Sequence, residues 1–224
     1  MNTWPLDSSL PAWPSASIRC WFPEPSLASS LEPATDDGAE AWEAACVREV
    51  QQGRPESFNP LVAHYAPRIR AYLHRMVRNR EEAEDLTQET FLKAFQAIPR
   101  FQPDRPFKRW IYTIATNTGL NALRTRKRKG MQVEFDAYHV SAGSVHAGAA
   151  MAARESDMVE NLEAALSTLP PRALQLVTLH YHEGFSLQEA GAVLGISEGA
   201  AKVALCRARQ HLRSVLIEGQ QHRL

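Results

Sequence analysis

The 224-residue sequence predicts an all-α fold: two small helical domains joined by a flexible linker. Three observations carry this. Apolar residues recur at helical intervals over residues 39–129 and again over 158–217. No stretch alternates apolar and polar residues as a half-buried strand would. Between the two periodic blocks, "KGMQVEFDAYHVSAGSVHAGAAMAARESD" is rich in Gly, Ala and Ser and has no period, so residues 130–157 read as the linker.

Residues 1–38 are rich in Pro, Ser and Ala and read as a disordered N-terminal extension, with Trp4, Trp13, Trp21 and Phe22 as its apolar points. From Ala39, "AEAWEAACVREVQQG" sets Trp42, Ala45, Cys46 and Val50 at helical spacing and stops at Gly53. "FNPLVAHYAPRIRAYLHRMV" predicts a second helix, kinked at Pro67. A third runs from Glu81 to Ile98. "PRFQPDRP" breaks the pattern with three prolines, and a fourth helix starts near Pro106, a residue suited to a first turn.

The C-terminal block reads as four helices. "MVENLEAALSTL" is stopped by Pro170, and "PRALQLVTLHYHEG" ends on a glycine. "SLQEAGAVLG" opens on a capping-box pattern, Ser186 with Glu189. "ISEGAAKVALCRARQHLRSVL" opens from a cap at Ser197. The short join "LGIS" predicts a helix-turn-helix, with Gly195 taking the left-handed conformation. Residues 218–224 form a tail.

Formal charge sums to zero but is not evenly spread. Residues 39–130 hold seventeen bases against ten acids, whereas 1–38 hold one against five and 131–157 one against four. The segment "FKRWIYTIATNTGLNALRTRKRKG", 107–130, carries seven bases and no acid. Such clustering is the footprint of a polyanion partner, the plainer alternative being a solvated helix face. Arg124, Arg126 and Arg128 can neutralise phosphates. Phe101, Trp110 and Tyr112 offer ring faces on which unpaired bases could stack. Asn117 and Asn121, one turn apart, can read a base edge. Trp110 beside Ile111 and Ile114 equally suits a packed core.

On the third helix, Asp85, Gln88, Glu89, Leu92 and Gln96 share one stripe. An aliphatic ringed by charge suits docking to a protein, although acids near a helix start also complement its dipole. No apolar run is long enough to span a bilayer, and the N-terminus lacks a secretion signal. Three scattered cysteines give neither a metal pair nor a disulfide framework. His64 with His74, and His180 with His182, lack HExxH spacing. The expectation is a soluble cytoplasmic protein that is not an enzyme and needs no metal or cofactor.

"AEDLTQETFLKAF", then "FQPDRPFKRWIYTIATN", then "FSLQEAGAVLGISEGAAKVALCRARQHLR" together resemble the extracytoplasmic-function sigma factors of bacterial RNA polymerase. The resemblance covers about residues 39–217. It implies a region 2 domain over 39–129, which binds and melts the −10 element, and a region 4 helix-turn-helix over 158–217, which contacts the −35 element. It implies that Asp85, Gln88, Glu89 and Leu92 grip the clamp helices of the largest polymerase subunit, with Gln96 continuing the stripe. It implies that Phe101, Lys93 and Asn117 line a pocket for an everted base. Ser197, Lys202, Arg207 and Arg209 fall on the −35 side. The implied partners are core polymerase, including the flap of its second-largest subunit, promoter DNA and an anti-sigma factor. Val203, Ala204 and Cys206 replace residues commonly polar, basic or aromatic, which weakens the expectation of −35 specificity. The rival reading is a stand-alone helix-turn-helix regulator that binds duplex DNA without polymerase. It leaves the acidic stripe and the ring-rich loop unexplained.

Overall fold

The computed structural model describes residues 36–129 and 161–221, and every regular element among them is helical. Most of the expected extension, the linker and the last residues of the tail lie outside the described residues.

The first unit contains α1 (Asp36–Gln51), a 3-10 turn (Pro55–Phe58), α2 (Asn59–Val77), α3 (Arg80–Ala97), a second 3-10 turn (Ile98–Arg100) and α4 (Phe107–Lys129). α1 starts three residues before the sequence boundary at Ala39. α2 runs through Pro67 as one helix, with the proline ring on its exposed face. α2 ends at Arg78, a non-glycine residue in the left-handed region (φ 54°), whose N–H bonds back to His74 O at 2.8 Å. α3 then starts immediately. The Asn79 side chain accepts from Glu82 N at 2.8 Å, a cap contributing about 1 kcal/mol.

The core is aromatic at its centre. Phe58, Tyr65, Tyr72, Phe107 and Tyr112 are all buried, with Leu61, Ile69, Leu73 and Ile111 around them. Thr87 and Thr90 are also buried on α3. Their hydroxyls donate to Ala83 O and Leu86 O one turn back, so neither leaves a polar atom unpaired. Gly119 lets α4 approach α2 closely, because a Cβ there would lie 2.5 Å from Met76 Cε. Glu43 of α1 reaches the start of α4. It accepts from the Tyr65 hydroxyl and from the backbone N–H groups of Lys108 and Phe107, which are orphan donors of the first turn. Burial nevertheless pushes its carboxyl above the usual range.

The second unit contains α5 (161–167), α6 (Pro171–Val177), which widens into a π turn (Thr178–His182), then α7 (Leu187–Leu194) and α8 (Glu198–Gln221). The capping box is present: Ser186 Oγ accepts from Glu189 N at 3.2 Å and Glu189 Oε2 accepts from Ser186 N at 2.9 Å. The Ser186 hydroxyl, donating to Glu189 Oε2 at 2.7 Å, and then the Ser186 N–H hold the Glu189 carboxyl below its ordinary range, against its partial burial. Gly195 takes φ 67° between α7 and α8. Gly191, a weak helix former, has a packing reason: its missing Cβ would stand 3.0 Å from Ile196 O. α8 can therefore fold back tightly on α7.

The two units pack against each other, which the linker composition did not foretell. α4 of the first lies on α7 of the second. Glu183, just past the π turn, is buried and accepts from the Tyr112 hydroxyl of α4. Lys108 Nζ donates to Glu183 O at 2.7 Å. Arg75 of α2 donates to His182 Nε2 at 2.7 Å. An arginine can only donate, so His182 carries its proton on Nδ1 and donates it to Glu183 Oε1 at 3.1 Å.

Candidate polymerase and nucleic-acid interface

α3 presents two faces. Ala83, Leu86, Thr90, Phe91 and Ala94 face inward, whereas Asp85, Glu89, Leu92 and Gln96 are exposed and Gln88 is half-buried. Leu92 is 47% exposed, an apolar side chain in the middle of the polar stripe. The stripe borders a groove of about 600 Å³ between α3 and α4, lined by Asp85, Glu89, Asn121 and Arg126 among others. An apolar side chain amid carboxylates, beside a concave surface, can hold a basic and apolar helix of a partner.

α4 positions the predicted nucleic-acid residues unequally. Asn117, Asn121, Arg124 and Arg128 are exposed. Arg124 donates to Asn121 Oδ1 at 3.2 Å, and Arg128 to Thr125 Oγ1 at 3.3 Å. Arg126 turns inward, to Glu82 Oε2 at 2.6 Å and Val77 O at 3.1 Å, so it ties α4 to α2 and α3. Lys93 spans α3 and α4, from Glu89 at 2.5 Å to Thr118 Oγ1 at 3.2 Å, beside Asn117.

The rings are more deeply placed than their stacking role required. Phe101 is buried with its ring 4.4 Å from that of Trp110, and Trp110 is half-buried. Tyr112 is fully buried between the rings of Tyr72 and Phe185, which corrects its reading as an open ring face. The loop that carries Phe101 is fastened from α1: Gln51 Nε2 donates to Ile98 O at 2.8 Å and to Phe101 O at 2.7 Å. Phe101 and Trp110 are thus brought together. So are Lys93 and the Asn117 turn. Phe101 belongs to the core and Asn117 to the surface.

On α8, Ser197 acts as the cap, accepting from Ala200 N at 3.2 Å. Lys202 is exposed and paired with Glu198 at 2.7 Å, and Arg207 is exposed beside Val203 and Cys206. Arg209 instead donates to the Tyr181 hydroxyl and lies over that ring. Sequence reasoning missed an apolar groove of about 710 Å³ there, lined by Leu162, Leu166, Tyr181, Leu212 and Ile217 with Arg209 and Arg213. Leu162, Tyr181 and Ile217 are exposed large apolar residues that gather only in three dimensions.

Two helical units, one with an exposed acidic stripe beside a basic helix and one with a helix-turn-helix, have matches among known proteins. Residues 61–129 match the family described as Sigma-70 region 2, and residues 159–212 that described as Sigma-70, region 4. The chain is 38% identical over 170 residues to the RNA polymerase sigma factor CarQ of Myxococcus xanthus, spanning 75% of this chain and 94% of CarQ. It belongs to the extracytoplasmic-function sigma factors. Another relative, the sigma factor SigW of Bacillus subtilis, is 29% identical over 177 residues, covering 76% of this chain and 94% of that one. Among solved structures, the sigma factor RpoE bound to the anti-sigma factor NepR from Bartonella quintana shares the fold. Its TM-score is 0.60 at 26% identity, over 72% of this chain and 97% of that one. As a sigma factor, the chain directs RNA polymerase to promoters. Among the described residues, no helix is long and apolar enough to cross a membrane.

Proposed function

We propose that the first unit seats the chain on core polymerase through the α3 stripe and works on the −10 element through α4, while the second contacts the −35 element through α8. The observation that carries this is the exposed Leu92 among Asp85, Glu89 and Gln96, next to a helix that presents Asn117, Asn121, Arg124 and Arg128. The first surface suits the clamp helices of the largest subunit. The second suits a strand whose bases have left the stack.

Work of this kind is binding and strand opening, without covalent chemistry. Opening a duplex costs stacking energy, and capture of an everted base offsets part of it. Asn117 and Lys93 are the groups best placed to bond such a base. Phe101 is buried against Trp110, so stacking of a base on Phe101 requires the loop at 99–106 to shift. The apolar groove of the second unit suits the polymerase flap. An anti-sigma factor is a further partner, as NepR is for its sigma factor. The place of action is the cytoplasm, where polymerase and promoter meet. On α8, Lys202 and Arg207 supply phosphate contacts, while the exposed Val203 and Cys206 offer little to a base edge, which favours modest −35 discrimination.

Co-elution with core polymerase tests the reading. The unaltered chain should co-elute, and Asp85→Arg with Leu92→Ala should abolish it. Retention by the double variant would refute the docking surface. Separately, Asn117→Ala should weaken promoter opening, read by permanganate reactivity, more than it weakens duplex retention. Equal losses would remove the pocket.

A further inference from the structure

The outward face of α8 lacks the side chains that usually read bases by hydrogen bonding. Ala201, Leu205 and Ala208 are buried and fix which way the helix faces. At about 100° per residue, Gly199, Val203, Cys206 and Gln210 then point most directly away from that core. Each of them is exposed. From Gly199 to Cys206 this face holds no strong donor or acceptor, and its most prominent group is the isopropyl tip of Val203, 51% exposed. Charge stands on the flanks, with Lys202 exposed on one side and Arg207 on the other. Gly199 carries a separate hint. Glycine weakens a helix relative to alanine. Gly191 is repaid by the close approach of Ile196 O, but an added Cβ at Gly199 would meet nothing within 4 Å, and its backbone is not in the left-handed region. The chain itself gives no reason for a bare backbone there, whereas a ligand that comes close to it would.

The little that such a face offers a base edge is apolar, and the bases differ in what they give back. In the major groove only thymine presents a methyl group, and apolar side chains are its readers. A valine has no hydrogen bond to give to guanine, adenine or cytosine. Val203 and Cys206 lie one turn apart, about 4.5 Å along the helix axis, close to the base-pair step of about 3.4 Å. They can therefore meet methyl groups on neighbouring pairs while Lys202 and Arg207 take phosphates on either side.

We infer that α8 reads the −35 element through thymine methyl groups, with Val203 as the residue that sets the choice, Cys206 beside it, and Gly199 giving the helix room to approach. The inference rests on the proposed seating of α8 on the −35 element. It gives the modest discrimination there a definite content: a preference for thymine at one or two neighbouring positions, and tolerance elsewhere.

The test uses holoenzyme assembled from the full chain and core polymerase, on a promoter duplex located by mapping its transcription start. Each thymine of the −35 element is replaced in turn by deoxyuridine, which removes the methyl group and keeps every hydrogen-bonding group. One or two of these replacements should each weaken duplex retention roughly two- to fourfold, the worth of one buried methyl. Val203→Ala should bind the unaltered promoter less tightly by a similar factor and should be indifferent to the same replacements. Indifference of the parent chain to every replacement overturns the inference, as does a −35 element without thymine. A loss that persists undiminished in Val203→Ala belongs to DNA shape and overturns the role of Val203. If scrambling the whole −35 element leaves retention unchanged, the seating of α8 is itself wrong and the inference falls with it.

Discussion

At the scale of single residues, burial sets the chemistry of Glu43. Its carboxyl is raised by desolvation, although Tyr65 and two backbone N–H groups of α4 favour the charged form. A carboxyl raised in the folded state binds a proton more tightly there than in the unfolded chain. Its contribution is therefore greatest at acid pH and falls as pH rises past the ordinary carboxylate range through the raised folded value. Glu43→Gln removes that titration. Relative to the parent, its melting temperature should be higher at pH 7.5 than at pH 5, by a few degrees, in thermal unfolding followed by circular dichroism. A constant difference between the two pH values would mean that Glu43 is charged throughout. The basic residues divide in the same way. Arg124 and Arg128 are exposed, so removing either should lower the slope of log affinity against log salt by about one. Arg126 is occupied by Glu82 and Val77 O, so Arg126→Ala should act mainly on the melting temperature.

At the scale of elements, the helix-turn-helix depends on two glycines used differently. Gly195 has nothing within 4 Å of an added Cβ but takes φ 67°, so Gly195→Ala should cost about 1–2 kcal/mol through backbone conformation alone. Urea unfolding of the full chain checks this, and no change in midpoint would sink it. The Ser186 capping box and the left-handed Gly195 were legible, because caps and turn glycines act within a few residues, whereas the close approach of Ile196 O to Gly191 was not. The α3 stripe was legible for a related reason: a 3.6-residue period sorts its faces. The depth of Phe101 and the inward turn of Arg126 were not. A ring or a guanidinium reads alike in sequence whether it meets solvent or a helix packed from elsewhere. Nor was the π turn, since the register of one extra residue leaves no periodic mark over five positions.

At the scale of the whole molecule, the two domains were evident from periodicity, and their mutual packing was not. The contacts between Tyr112 and Glu183 and between Arg75 and His182 join residues 71 and 107 positions apart. Local pattern carries no trace of pairings at that range. The same holds for the groove lined by Leu162, Tyr181 and Ile217, each of which looks in sequence like an ordinary core position. If that groove receives an apolar helix from polymerase, Leu162→Glu with Ile217→Glu should weaken activity at promoters that depend on the −35 element. Core docking through α3 should stay intact. Loss of both would point to a folding defect, which circular dichroism would reveal.

Gln51 lies ten residues upstream of the segment shared with the Sigma-70 region 2 family, yet it holds the carbonyls of Ile98 and Phe101 at the start of the loop that leads into α4. A fragment trimmed to the homologous boundary would lose this brace, and with it the Glu43 contact that seats the first turn of α4. Such a fragment would keep every first-unit residue proposed for promoter work while letting the loop at 99–106 drift. Its weakness would then be mistaken for poor recognition.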